Sequence, residues 1–111
     1  MESSADLDRL SGVRVSHADY LAARGRAVQV TALDAGGGIH PGELREVGGL
    51  LRPGPGFEAF WLAFAIRDAV PAQGLYRIEI DGLPPHALLL VPSARHGDVT
   101  EYHASFNRNE A

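Results

Sequence analysis

Residues 74–107 hold three consecutive runs, Leu75-Tyr76-Arg77-Ile78-Glu79-Ile80, Ala87-Leu88-Leu89-Leu90-Val91 and Val99-Thr100-Glu101-Tyr102-His103-Ala104-Ser105-Phe106, and their reading decides the fold. Asp81-Gly82, Pro84-Pro85 and His96-Gly97-Asp98 separate them, and these residues favour turns and interrupt helices. In the third run Tyr102, Ala104 and Phe106 fall on one face and Glu101, His103 and Ser105 on the other, the alternation of a half-buried antiparallel strand. The second run is aliphatic on both faces. Such a strand is either buried centrally or lends one face to a partner or an apolar ligand.

Upstream, Phe60, Leu62, Phe64 and Ile66 alternate with Ala59, Trp61, Ala63 and Ala65, which predicts a central strand with a large-residue face and a mainly small-residue face. The three alanines make a helix the rival reading. Residues 43–51 fit a short strand or a helical face, and the strand is preferred. From Arg26 the period is two, with Val28, Val30 and Ala32 on one side. Ser16 followed by Asp19 is a capping-box variant that starts a short helix ending near Gly25, and Ser3 or Ser4 can cap a turn through Leu10. Residues 34–38, mostly glycine, and the Pro-Gly stretch at 53–56 are expected to be loops. The expectation is a mainly β chain of about six strands, a small antiparallel β-sandwich or partly closed barrel, with one or two short N-terminal helices.

With 111 residues the chain has room for a single β-rich domain, residues 1–15 forming an arm that frays. All ten basic residues are Arg, scattered singly among fourteen acids for a formal charge of −4, which speaks against nucleic acid as a partner. There is no Cys, and neither a membrane-spanning apolar run nor a signal-peptide start, so a cytoplasmic setting without membrane association is expected. The five His show no H-x-H or H-E-x-x-H spacing, so no metal and no cofactor is expected.

The strongest acid–base constellation is Glu101 beside His103, about 7 Å apart on one strand face, with Glu79 on a neighbouring strand as a further candidate. The same residues are also what a strand shows to water. Ser105 completes a nucleophile trio on paper, but no G-x-S-x-G elbow accompanies it.

Taken in order, Phe60-Trp61-Leu62-Ala63-Phe64, Pro71-Ala72-Gln73-Gly74-Leu75-Tyr76-Arg77-Ile78-Glu79, Leu88-Leu89-Leu90-Val91-Pro92 and Glu101-Tyr102-His103-Ala104-Ser105-Phe106-Asn107 resemble a family of small uncharacterised bacterial domains. Asp19-Tyr20 and Gly25 are similar to the N-terminal element of that family. The likeness spans roughly half the chain, with residues 38–55 lacking a clear counterpart. Such domains are often encoded beside phage-tail-collar-like proteins, so the resemblance implies an assembly role and supplies no catalytic residues. Two functions follow as expectations. The first is a non-enzymatic domain that binds another protein or self-associates. The alternative is a small cofactor-free enzyme or ligand-binding barrel, of cyclase, isomerase or dehydratase type, acting on an apolar biosynthetic intermediate. It predicts a pocket lined by Trp61, Phe64, Tyr76 or Tyr102 with His103 or Glu79 pointing inward.

Overall fold

The computed structural model describes residues 13–33, 38–68 and 72–109. The expected turn before Leu10 and most of the glycine loop lie outside them. One helix precedes six strands among the described residues: α1 (His17–Ala22), β1 (Ala27–Ala32), β2 (Ile39–Val47), β3 (Phe57–Arg67), β4 (Gly74–Ile80), β5 (His86–His96) and β6 (Val99–Asn109). The strands form a closed barrel in the order β1-β2-β3-β6-β5-β4, and every neighbouring pair is antiparallel. Closure comes from β1, whose Val28 lies opposite Gly42 on one side and Ile80 on the other. Closure gives every strand a neighbour on both sides, which lowers the aggregation liability of a small β-domain.

The period-two pattern now has a direction. Val28 and Val30 of β1, Phe60, Leu62, Phe64 and Ile66 of β3, Tyr76, Ile78 and Ile80 of β4, and Tyr102 and Ala104 of β6 all point into the barrel. Each fully buried large chain, such as Phe64, Leu62 or Ile78, contributes about 1.5–3 kcal/mol of transfer free energy before chain entropy is subtracted. Residues 57–67 are a strand despite their alanines, because ladders on both sides, to β2 and to β6, override a weak helix preference. Residues 43–51 divide: β2 runs to Val47, and Leu51 returns as an isolated bridge to Ala59.

β5 runs from His86 to His96, past the aliphatic run that ends at Val91 and through Pro92. Pro92 stands opposite Tyr102 next to a bulge, at a position where the ladder asks for no amide hydrogen. At this end of the barrel Thr100 is fully buried, and its hydroxyl has no hydrogen-bond partner among the described residues.

The other end is closed by α1. Ser16 caps the helix by accepting from the Asp19 amide through its hydroxyl at 3.1 Å, and Gly25 ends the segment with φ 88°, a conformation that favours glycine. The Gly25 amide donates to the Leu44 carbonyl at 2.7 Å, and His17 donates through Nε2 to the Gly48 carbonyl at 2.8 Å. These bonds seat the helix over β2. Its one buried side chain, Tyr20, packs against Phe60 and Phe106, whose rings stack at 4.5 Å.

Candidate functional site

Two sites draw together chemistry-bearing residues, one on the outer wall and one beneath the helix. The wall is the outward face of β3, β6 and β5. On β3 the outward positions are Phe57, Ala59, Trp61, Ala63 and Ala65, alternating with the core residues. Trp61, one of the candidate pocket-lining aromatics, is 43% exposed. Its parity on β3 puts it outside, opposite Ser105. Its indole lies flat along the wall, stacked on the His103 ring at 5.7 Å and 19°, and over Gly48. A Cβ at position 48 would sit 2.3 Å from the indole Nε1, and the Gly48 amide donates to the Trp61 carbonyl at 2.7 Å. Glycine is therefore what lets the indole lie down.

Apolar residues flank this ring along β3 and stand across β6 on β5. Val91 stands opposite His103, and Leu89, 51% exposed, is two residues further along the same face of β5. Leu51, 66% exposed, is bridged to Ala59 on the same face as Trp61, and Phe57 follows it. Of the seven exposed large hydrophobic residues among the described residues, five, Leu51, Phe57, Trp61, Leu89 and Val91, thus lie on one wall, where scattered exposure would spread them over the barrel. The polar members lie on β6 between these two groups: Glu101 and His103, joined at 3.4 Å between Oε2 and Nε2, with Ser105 and Asn107 on the same face.

Beneath α1 the barrel interior turns polar. Tyr20 and His86 meet at 2.7 Å between the hydroxyl and Nε2, and His86 Nδ1 is 2.8 Å from the Pro84 carbonyl. A carbonyl only accepts, so Nδ1 carries the proton, Nε2 accepts, and the tyrosine hydroxyl donates. Burial pushes the His86 pKa down, against the hydrogen bond to Pro84, with Arg108 adding to the downward shift. Burial raises the Tyr20 hydroxyl far above the ordinary phenol range, so it stays protonated. Arg108 donates through Nε to Glu58 at 2.7 Å and through Nη2 to the Val15 carbonyl at 2.7 Å, and lies 5.2 and 5.1 Å from the Phe60 and Phe106 ring centres. That ion pair holds the Glu58 carboxyl below its usual pKa. Arg14 also reaches Glu58, at 3.4 Å. The arrangement anchors the segment before α1 to the ends of β3 and β6, and its polar groups are spent on one another.

The structure brings together two of the three acid–base candidates. Glu101 and His103 are neighbours on the outer wall, whereas Glu79 lies on β4, paired with Arg77 at 3.1 Å. Of the aromatic candidates, Trp61 belongs to the wall. Phe64, Tyr76 and Tyr102 are buried in the barrel, Tyr76 donating its hydroxyl to the Ala72 carbonyl at 2.7 Å and packing edge-on to Tyr102 at 5.6 Å. His103 and Glu101 point away from those rings, because strand parity alternates. Among the described residues no group of three His, Asp or Glu converges as a metal site, and no helix is long and apolar enough to cross a membrane.

Sequence reasoning missed the Tyr20–His86 pair, which joins residues 66 apart, and the roles of Gly48, Leu51 and Phe57. A Gly-Gly pair followed by two leucines at 48–51 was the local signal for Gly48 and Leu51.

The chain belongs to the family described as a domain of unknown function, DUF6916, whose pattern it matches over residues 15–106. The match begins just before α1 and ends near the close of β6, so the helical plug and all six strands fall within the family unit. Comparisons with curated proteins and with solved structures gave no match.

Proposed function

We propose that this member of the DUF6916 family is a non-enzymatic interaction domain that docks another protein on the outer wall of β3, β6 and β5. The observation that carries the reading is the clustering of Trp61, Leu89, Val91, Leu51 and Phe57 on that wall, with the indole held flat by Gly48 and His103. The outward residues of β6, Glu101, His103, Ser105 and Asn107, form a polar stripe between the apolar residues of β3 and those of β5, so the wall offers hydrogen-bonding groups flanked by an aromatic anchor and aliphatic chains. The core aromatics meanwhile pack against each other, which leaves the outer surface as the place for recognition. The implied kinship with domains encoded beside phage-tail-collar-like proteins supports an assembly role, in which the barrel is a rigid adaptor between larger components.

The test is affinity isolation from cells that naturally make the protein, comparing the wild-type chain with the Trp61→Ser/Val91→Ser double variant. The expected result is one protein recovered in stoichiometric amount with wild type and at least tenfold less with the variant, while thermal unfolding of the two is alike. A partner recovered equally with both, or a homogeneous monomer that turns over a small molecule, overturns the proposal.

A further inference from the structure

The same wall is split. β5 is laddered to β4 through residues 86–90 and β6 to β3 as far as Asn109, yet the ladder between β5 and β6 stops at Val91↔His103. Pro92 has no amide hydrogen, so its pair with Tyr102 is of the non-hydrogen-bonded kind and Val91↔His103 is the hydrogen-bonded pair. Main-chain groups alternate in direction along a strand. The N–H and C=O of Leu89 and of Ser105 therefore point into the space between β5 and β6, where no ladder partner among the described residues meets them. On the inner side Tyr20 stands in the breach, its ring 5.8 Å from His86 and 5.6 Å from Phe106. On the outer side a groove of about 330 Å³ opens. Its walls include the outward Leu89, Val91, His103 and Ser105 and the inward Leu88 and Ala104, so it cuts into the wall between the two strands.

Resting on the proposed docking role of this wall, we infer that the split receives an extended segment of a partner protein, added as a strand beside β5. The unpaired main-chain donors and acceptors identify the occupant, because an extended polypeptide presents the complementary groups at the same period of about 7 Å. The lining of the groove narrows its side chains. None of the lining residues is Asp, Glu, Lys or Arg, so a charged side chain there would lose hydration without gaining a counter-charge. The segment is apolar or hydroxylic at alternate positions, with any acidic or basic residue outside the groove.

The probe is a synthetic library of octapeptides blocked at both ends, selected on the full chain. The inference expects binders with alternating apolar residues and at least tenfold slower hydrogen exchange at the Leu89 and Ser105 amides when they bind. It also expects that N-methylating alternate amides of a selected peptide, which blocks one hydrogen-bonding edge and leaves its side chains intact, weakens binding at least tenfold. Leu89→Pro, which deletes the amide facing the split, has the same effect, and the methylated peptide gives the answer even if that variant does not fold. Binding that Trp61→Ser abolishes but that N-methylation and exchange at the split do not register overturns strand addition and leaves the docking wall standing. A library without binders overturns the inference, while the wall is judged separately by the partner isolation. A concentration-dependent dimer with Leu89 and Ser105 protected overturns it in favour of a second copy of the chain.

Discussion

Replacing Tyr20 by phenylalanine removes one oxygen from a buried ring and leaves its contacts with Phe60 and Phe106 in place. What changes is His86. Its Nε2 lone pair accepts from the tyrosine hydroxyl at 2.7 Å, and without that donor it is buried and unpaired. An unsatisfied buried group of this kind costs about 1–3 kcal/mol. His86→Leu strands the tyrosine hydroxyl in turn, whereas the double variant strands neither, so the two losses couple by about 1–2 kcal/mol. Guanidinium unfolding at pH 7.5 reads this directly: a 2 kcal/mol loss at a slope of about 4 kcal/mol/M moves the midpoint down by about 0.5 M. The pH dependence supplies an independent check. Burial holds the folded His86 pKa below the ordinary value of 6.5, so on acidification the unfolded chain takes up this proton first. The stabilising contribution is whole above pH 6.5 and is lost as pH falls toward the folded value, with a slope of at most about 1.4 kcal/mol per pH unit. His86→Leu removes that slope relative to wild type. Additive single losses, or identical pH profiles for wild type and His86→Leu between pH 6.5 and 5, would refute the assignment of donor and acceptor.

Two further perturbations probe the barrel and its wall. Thr100→Val replaces a fully buried hydroxyl, without a partner among the described residues, with a methyl group of similar size and is expected to raise stability by about 1 kcal/mol, or about 4 °C in melting temperature by calorimetry; an unchanged or lower value means the hydroxyl is satisfied. Gly48→Ala puts a methyl where the Trp61 indole lies, so the ring must lift from the wall. The expected readouts are a red-shifted Trp61 emission and a loss of about 1–3 kcal/mol, relieved when Trp61→Ala is added. An unshifted spectrum means that the ring does not rest on Gly48.

The fold was legible where local pattern and tertiary demand agree. Val28 and Val30, Ile78 and Ile80, and Tyr102 and Ala104 announce their buried faces by alternation, and Ser16 with Asp19 marks the start of α1. Closure of the barrel was beyond local pattern, since it rests on β1 pairing with β4, about fifty residues away along the chain. The wall was half legible. The all-aliphatic run of β5 left two readings, central burial or one face lent outward, and the second holds: Leu89 and Val91 face out while Leu90 is buried. Trp61 was offered as a pocket-lining ring, whereas its parity on β3, fixed by Phe60 and Leu62 entering the core, puts it on the outer wall. The Glu101–His103 pair was visible from its i, i+2 spacing, but its stack on Trp61 depends on the β3–β6 register.

The central claim is that the wall bearing Trp61 and Leu89 is an interface. Its most direct test places a photo-crosslinking phenylalanine analogue at position 89, and separately at Gln29 on β1, outside that wall, in cells that naturally make the protein. The account predicts a discrete adduct with one protein from position 89 and none from position 29. Equal labelling from both positions, or an adduct from position 29 alone, would contradict it.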